Sequence, residues 1–153
     1  MLTTDMIELI RNYPAGMVAT VNEDRTPSVS PKATFVIIDD RTIAFGNLRS
    51  PGTLANIRRH PAVEVCFLDV LARKALRVTG TGSIISKSKA STAMIAAFDD
   101  AWGDYLPLMS AFVSIAISEA EPILSPAYDV GHSEADLRAA NLKKLNQLQA
   151  GQP

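Results

Sequence analysis

The segment Phe45-Gly-Asn-Leu-Arg-Ser-Pro-Gly-Thr-Leu-Ala-Asn56 collects groups that bind anions at a helix start. A strand-like run ends there, a polar turn follows, and a helix begins. Ser50 suits the N-cap. Pro51 suits the first helical position, where its ring has already set φ and its missing N–H costs nothing. The N–H groups of Gly52 and Thr53 then point outward, and the helix dipole adds partial positive charge. Gly52 has no side chain to block an approaching group, and Arg49, Ser50 and Thr53 add donors. Together these groups suit a phosphate monoester. The same pattern also fits an ordinary capped helix after a hairpin.

Other chemistry-bearing residues are weaker signals. Lys32, in Ser30-Pro-Lys-Ala-Thr34, either lines a cavity or sits on a solvated edge. Arg73, Lys74 and Arg77 cluster as a strand head commonly does. Gly80-Thr-Gly82 lacks the third glycine and the following helix of a dinucleotide fingerprint. His60 and His132 lack metal-ligand spacing, so no metal site is assigned. Cys66 reads as a small buried apolar group. Trp102 and Tyr105 read as core, or as aromatics near a planar ligand. No catalytic residue is assigned, because no nucleophile and base share a recognisable pattern.

These residues need elements to hold them. Thr4 and Asp5 are placed to cap a short helix through about Asn12, stopped by Pro14 and Gly16. Strands are expected over 17–21, 28–38, 42–45, 62–70, 73–85 and 112–117, mostly joined by tight polar turns. Leu76, Val78, Gly80, Gly82 and Ile84 share one face of the long strand, and its paired glycines mark a bend. Pro51 to Arg59 is a short helix with Leu54 and Ile57 inward. Over 88–102 the period changes, with Ala90, Met94, Phe98 and Trp102 four apart, which predicts an amphipathic helix. Ser133-Glu-Ala-Asp136 resembles a capping box and opens a terminal helix over 133–150, with Leu137, Leu145 and Leu148 on one stripe. Gly151 and Pro153 end the chain. Strand following strand is unlike the alternation of a Rossmann sheet. A mainly β (α+β) barrel, closed or partly open, with peripheral helices follows.

Composition narrows the classes. A chain of 153 residues with 47% hydrophobic side chains suits one domain, 1–153, with a real core. Fifteen basic against 16 acidic residues give no strong field for nucleic acid or an anionic membrane. A single cysteine excludes an internal disulfide, and no apolar run is long enough to span a bilayer. The start lacks the blocks of a signal peptide. A soluble, cytoplasmic protein is expected.

Gly16-Met-Val-Ala-Thr-Val21, Thr26-Pro-Ser-Val-Ser-Pro-Lys32, Ile43-Ala-Phe-Gly-Asn47, Ser50-Pro-Gly-Thr-Leu-Ala-Asn-Ile57, His60-Pro-Ala-Val-Glu-Val65 and Val78-Thr-Gly-Thr-Gly82 occur in a telling order. In order and spacing, the chain over about 5–120 resembles the pyridoxamine 5′-phosphate oxidase-like split barrels, especially their small FMN-binding members. The resemblance implies a six-stranded split β-barrel and a homodimer with FMN in a groove between subunits. It implies a cofactor phosphate site at Arg49, Ser50 and Thr53, with Ser30, Lys32 and Thr34 helping from the second strand. Phe45, Gly46 and Asn47 would run along the flavin, and Lys74 falls near a further cofactor position. The chain departs from the pattern at Gly52, where many relatives carry a basic residue, so Arg49 or Lys32 would supply that charge. Its terminal helix replaces the Arg-containing strand with which true oxidases read pyridoxal phosphate, which argues against pyridoxamine phosphate oxidation. An FMN-dependent oxidoreductase of a small-molecule substrate is one expectation. A protein that stores, carries or senses FMN without turnover is the other. A deazaflavin or haem could take the place of FMN in this fold group.

Overall fold

A computed structural model describes residues 1–151; Pro153 lies outside the described residues. The order is α1 (Thr4–Asn12), β1 (Gly16–Val21), β2 (Pro27–Lys32), β3 (Phe35–Asp39), β4 (Thr42–Asn47), α2 (Pro51–Arg59), β5 (Ala62–Asp69), β6 (Lys74–Ser86), α3 (Thr92–Trp102), β7 (Ala111–Leu124) and α4 (Glu134–Ala150). The strands form one antiparallel sheet ordered β2-β1-β5-β6-β7-β4-β3.

The sheet has seven strands, not six. The run expected as one strand over 28–38 breaks at Ala33-Thr34. Its first half pairs with β1 and its second half with β4, at opposite ends of the strand order. The chain itself therefore joins the two edges, without hydrogen bonds between them. The β-branched run reveals extended backbone but not the change of partner.

Alternation is strict where solvent lies on one side. Leu76, Val78, Gly80 and Gly82 of β6 are buried, while Arg77, Thr81 and Ser83 are exposed. Inward side chains Val18, Ile43, Phe45, Val65, Phe67 and Val113 build the main core. Strand β4 is buried on both faces, because α3 covers its back through Met94 and Phe98. Phe98 stacks on Phe112 with ring centroids 4.4 Å apart.

Three boundaries move for local reasons. Thr3, rather than Thr4 or Asp5, caps α1 by accepting from Met6 N at 3.4 Å. The expected helix over 88–102 begins only at Thr92, because Ser91 accepts from Met94 N at 3.1 Å and residues 87–89 form a separate 3₁₀ turn. Strand β7 runs on to Leu124, past the expected end at Ile117, because Glu119 and Glu121 face solvent opposite Thr79 and Arg77. Their polarity conceals a strand whose other face still packs Ala120 on the core.

The expected bend in β6 lies at Gly80. The register slips by one between Thr79 and Gly80, and a Cβ on Gly80 would sit 2.3 Å from the Ala116 carbonyl oxygen.

The capping box of α4 forms: Ser133 Oγ accepts from Asp136 N at 3.1 Å and Asp136 accepts from Ser133 N. Yet α4 buries no residue, so its Leu137, Leu145 and Leu148 stripe does not enter the core. Polar contacts hold it. Arg138 reaches Asp69 at 2.6 Å, Glu134 at 3.0 Å and the Tyr13 hydroxyl at 3.3 Å. Burial alone would raise the Asp69 carboxyl, but the Ala72 N–H, Tyr13 and Arg138 outweigh it and hold the carboxyl below its usual range.

Two outcomes are expected. Gly80→Ala lowers the urea unfolding free energy by about 1–3 kcal/mol, since backbone rather than a flexible side chain blocks the new methyl. Because the Asp69 carboxyl is depressed when α4 is docked, docking is constant above about pH 5 and weakens as pH falls through the lowered value. The Asn141 side-chain amide resonance, followed by NMR against pH, reports that loss, while the β5 amides keep their shifts.

Candidate functional site

The turn after β4 is held from three directions. Leu54 and Ile57 of α2 are buried against the barrel. Asn56 Nδ2 donates to Thr20 Oγ1 and Asn22 Oδ1, each at 3.0 Å, which pins the helix to β1 and its turn. Thr34 fixes the other side. Its Oγ1 accepts from Gly46 N at 3.0 Å and donates to Gly46 O at 3.1 Å. Continuing the Phe35↔Phe45 register would set Thr34 opposite Gly46, so the side chain replaces a ladder rung just where the backbone leaves β3.

Sequence reading did not single out Met109 and Ser110, which complete this side. A Cβ on Gly46 would lie 2.2 Å from Met109 Sδ. Asn47 Nδ2 donates to Ser110 Oγ at 2.9 Å, and Ser110 N donates to Asn47 O at 3.2 Å. Only the β4–β7 register, with Asn47 opposite Ala111, brings them together. Asn47 Oδ1 is buried with no hydrogen-bond partner among the described residues. If the amide were turned over, Nδ2 would be left instead, so one amide atom lacks a partner either way.

The helix start departs from expectation in one respect. Ser50 occupies the N-cap of α2, but its side chain makes no cap bond. No first-turn N–H is therefore answered by a cap, and those of Gly52 and Thr53 have no intrahelical acceptor. An added Cβ on Gly52 would meet nothing within 4 Å, so space opens in front of them. Ser50 and Thr53 are themselves buried. Arg49 is exposed and makes no hydrogen bond or ion pair among the described residues. An uncapped helix start, a free guanidinium and an unpartnered buried amide suit a ligand carrying both a phosphate and polar edges.

Ser30 and Lys32 lie at the end of β2, joined to Thr34 through Ala33. Lys32 Nζ donates to Ser30 Oγ at 2.8 Å, and partial burial pushes its pKa down. The Thr34–Gly46 bonds thus connect the second-strand candidates to Phe45, Gly46, Asn47 and the turn. Phe45 is fully buried in the core, leaving only its backbone for a ligand. Lys74 stands apart. It opens β6, whereas Gly82, eight residues on, is the part of that strand beside Ile57 of α2. At about 3.3 Å per residue that is roughly 26 Å of strand. Lys74 pairs with Glu134 at 3.0 Å, which raises its pKa.

The family model for pyridoxamine 5′-phosphate oxidase matches residues 2–126. The chain belongs to this family. No curated protein matches it. Among solved structures it is similar to HupZ of Group A Streptococcus, at 26% identity and TM-score 0.70, over 82% of this chain and 96% of that one. It shares its fold with an FMN-binding protein of Syntrophomonas wolfei, at 17% identity and TM-score 0.61, over 79% and 88% of the two chains. An F420 reductase matches at 20% identity and TM-score 0.56, over 70% of this chain and 88% of that one. The fold of the family is the split barrel described above, here with seven strands.

Thr34→Val strips Gly46 of both partners and leaves a buried N–H and carbonyl unanswered, at about 1–3 kcal/mol for each unsatisfied group. A drop in unfolding free energy of about 2–6 kcal/mol is expected from urea titration. Thr34→Ser, which keeps the hydroxyl, recovers most of it.

Proposed function

We propose that residues 1–153 form one split-barrel domain that binds FMN, acts as a cytoplasmic homodimer, and serves as an FMN-dependent oxidoreductase of a small-molecule substrate. The observation that carries this reading is the uncapped start of α2 beside a free Arg49. An ordinary structural helix would use Ser50 to answer its own N–H groups. This one leaves them to a ligand. Arg49, Ser50, Gly52 and Thr53 would hold the phosphate, with Ser30, Lys32 and Thr34 on the neighbouring strand. Gly46 and Asn47 would meet the flavin edge, Phe45 contributing only backbone. Lys74 would join only from another subunit. The flavin supplies the redox chemistry when bound, and this chain's residues anchor its phosphate, orient it and exclude water.

Family membership does not carry pyridoxamine phosphate oxidation with it. The family match ends at residue 126, and α4 follows it. We do not assign that reaction. No helix among the described residues is long and apolar enough to cross a membrane.

A second reading is a non-catalytic protein that stores, carries or senses the cofactor. It is favoured by the side chains around the turn: Ser30, Lys32, Thr34, Asn47, Arg49, Ser50 and Thr53 include no carboxylate, imidazole or thiol for proton transfer. The likeness to an F420 reductase supports a deazaflavin as the alternative ligand. Flavin absorption bands that bleach with a reduced nicotinamide donor, and return with an added acceptor, support turnover. Bands that no donor bleaches support storage or sensing.

Arg49→Ala removes one charge-assisted contact of about 1.5–3 kcal/mol, so FMN affinity falls roughly ten- to a hundredfold in a fluorescence titration. Gly52→Glu costs more, because it fills the open approach and adds like charge. Arg41→Ala, at the far end of β4, leaves affinity unchanged. An Arg49→Ala protein that binds FMN as the parent does would reduce the turn to a plain helix start.

A further inference from the structure

The distal half of α4 is a helix with nothing of its own beneath it. Its last tether is Asn141, whose Nδ2 donates to Leu71 O at 2.8 Å. Every residue from Leu142 to Ala150 is exposed, and none makes a hydrogen bond or ion pair to the barrel among the described residues. These residues extend about 13 Å past the last contact, at about 1.5 Å per residue.

The exposed leucines are not scattered around it. At about 100° per residue, Glu134, Arg138 and Asn141, the three residues that meet the barrel, share one arc of roughly 60°. Leu145 falls within that arc, and Leu142 and Leu148 fall just to either side. These three are 42–57% exposed. The face that docks on the barrel thus continues as an apolar stripe beyond the barrel's end, with Lys144 beside Leu148.

The barrel offers a matching surface that is equally uncovered. On the outer face of β2, β1 and β5, Val29 is 61% exposed, Met17 50% and Leu68 47%. The registers Ala19↔Val29 and Met17↔Cys66 set these side chains on one side of neighbouring strands. Acidic groups border them. Glu64 and Glu121 share the single guanidinium of Arg77, and Glu119 makes no ion pair among the described residues. An apolar patch with excess negative charge at its edge complements a leucine stripe flanked by Lys144. The root of α4 is tied to Asp69 and Leu71, at the end of β5 that carries Leu68.

We propose that residues 142–150 of α4 pack on the outer face of β2, β1 and β5 of a second copy of this chain, reciprocally about a two-fold axis. The inference rests on the homodimer proposed above. It adds which surfaces meet, and it gives α4 a role in assembly.

Sedimentation equilibrium of the full chain tests it. Leu145→Ser with Leu148→Ser raises the dimer dissociation constant at least tenfold, while circular dichroism shows the barrel's melting unchanged. Met17→Ser on the receiving face does the same. Joined with the leucine changes it adds little further, as expected of groups in contact. A parent that is monomeric throughout the micromolar range overturns both the homodimer and this inference. A dimer whose dissociation constant ignores the leucine changes overturns only the inference. So does an effect of Met17→Ser that is fully additive with them.

Discussion

Thr34 Oγ1 accepts from the Gly46 N–H and donates to the Gly46 carbonyl, and much of the molecule depends on that one hydroxyl. Strands β2 and β3 lie at the two ends of the sheet order, yet only Ala33 and Thr34 separate them in the chain. The backbone must leave one edge and enter the other within that short link. It cannot do so and also keep its own rung against β4. Thr34 resolves the conflict with its side chain. The end of β4 stays straight, and the turn that follows is delivered at a fixed angle to α2. Met109 packs against Gly46 from the other side, so the approach of β7 depends on the absence of a side chain there. The proposed phosphate turn at Arg49 to Thr53 is therefore positioned by how the barrel is split, and the candidate site lies at the seam.

The same seam explains what the sequence did and did not reveal. Period-two alternation exposed β6, because it has one wet and one dry face. The Ser-Pro-Gly-Thr run located α2 to the residue, because proline and glycine act locally. The break in the 28–38 run was invisible, since both halves are extended and differ only in partner. Met109 and Ser110 were invisible for a related reason: their link to Gly46 and Asn47 comes from a register across more than 60 positions of chain. The glutamates of β7 masked a strand because they face solvent, Glu121 pairing across the surface with Arg77 of the neighbouring strand rather than within its own segment. Ser50 took its expected place without its expected bond. Cap position is a matter of local sequence, whereas the rotamer answers to surroundings that composition does not record.

Charge divides the molecule into two working ends. At the turn, among the described residues, Arg49 has no partner and Lys32 has only a serine hydroxyl. Cations left unpaired there are available to an anionic ligand. At the opposite end of β6, Lys74, Arg138, Asp69 and Glu134 satisfy one another and seat a helix that buries nothing. That network contributes little through surface ion pairs alone, but Asp69 is 5% exposed and would be left short of a partner if α4 withdrew. The first set is the one proposed to meet a phosphate, and the second fixes where α4 projects.

The central claim is that the start of α2 exists to hold a phosphate. Equilibrium titration of the protein with FMN and, in parallel, with riboflavin separates this from every other source of affinity, because the two ligands share the ring and the ribityl chain and differ only in the phosphate. Two or more charge-assisted contacts of about 1.5–3 kcal/mol each make FMN at least about a hundredfold tighter, and Arg49→Ala narrows the gap by weakening FMN alone. Equal affinities for the two ligands, or a gap that Arg49→Ala leaves unchanged, would contradict it.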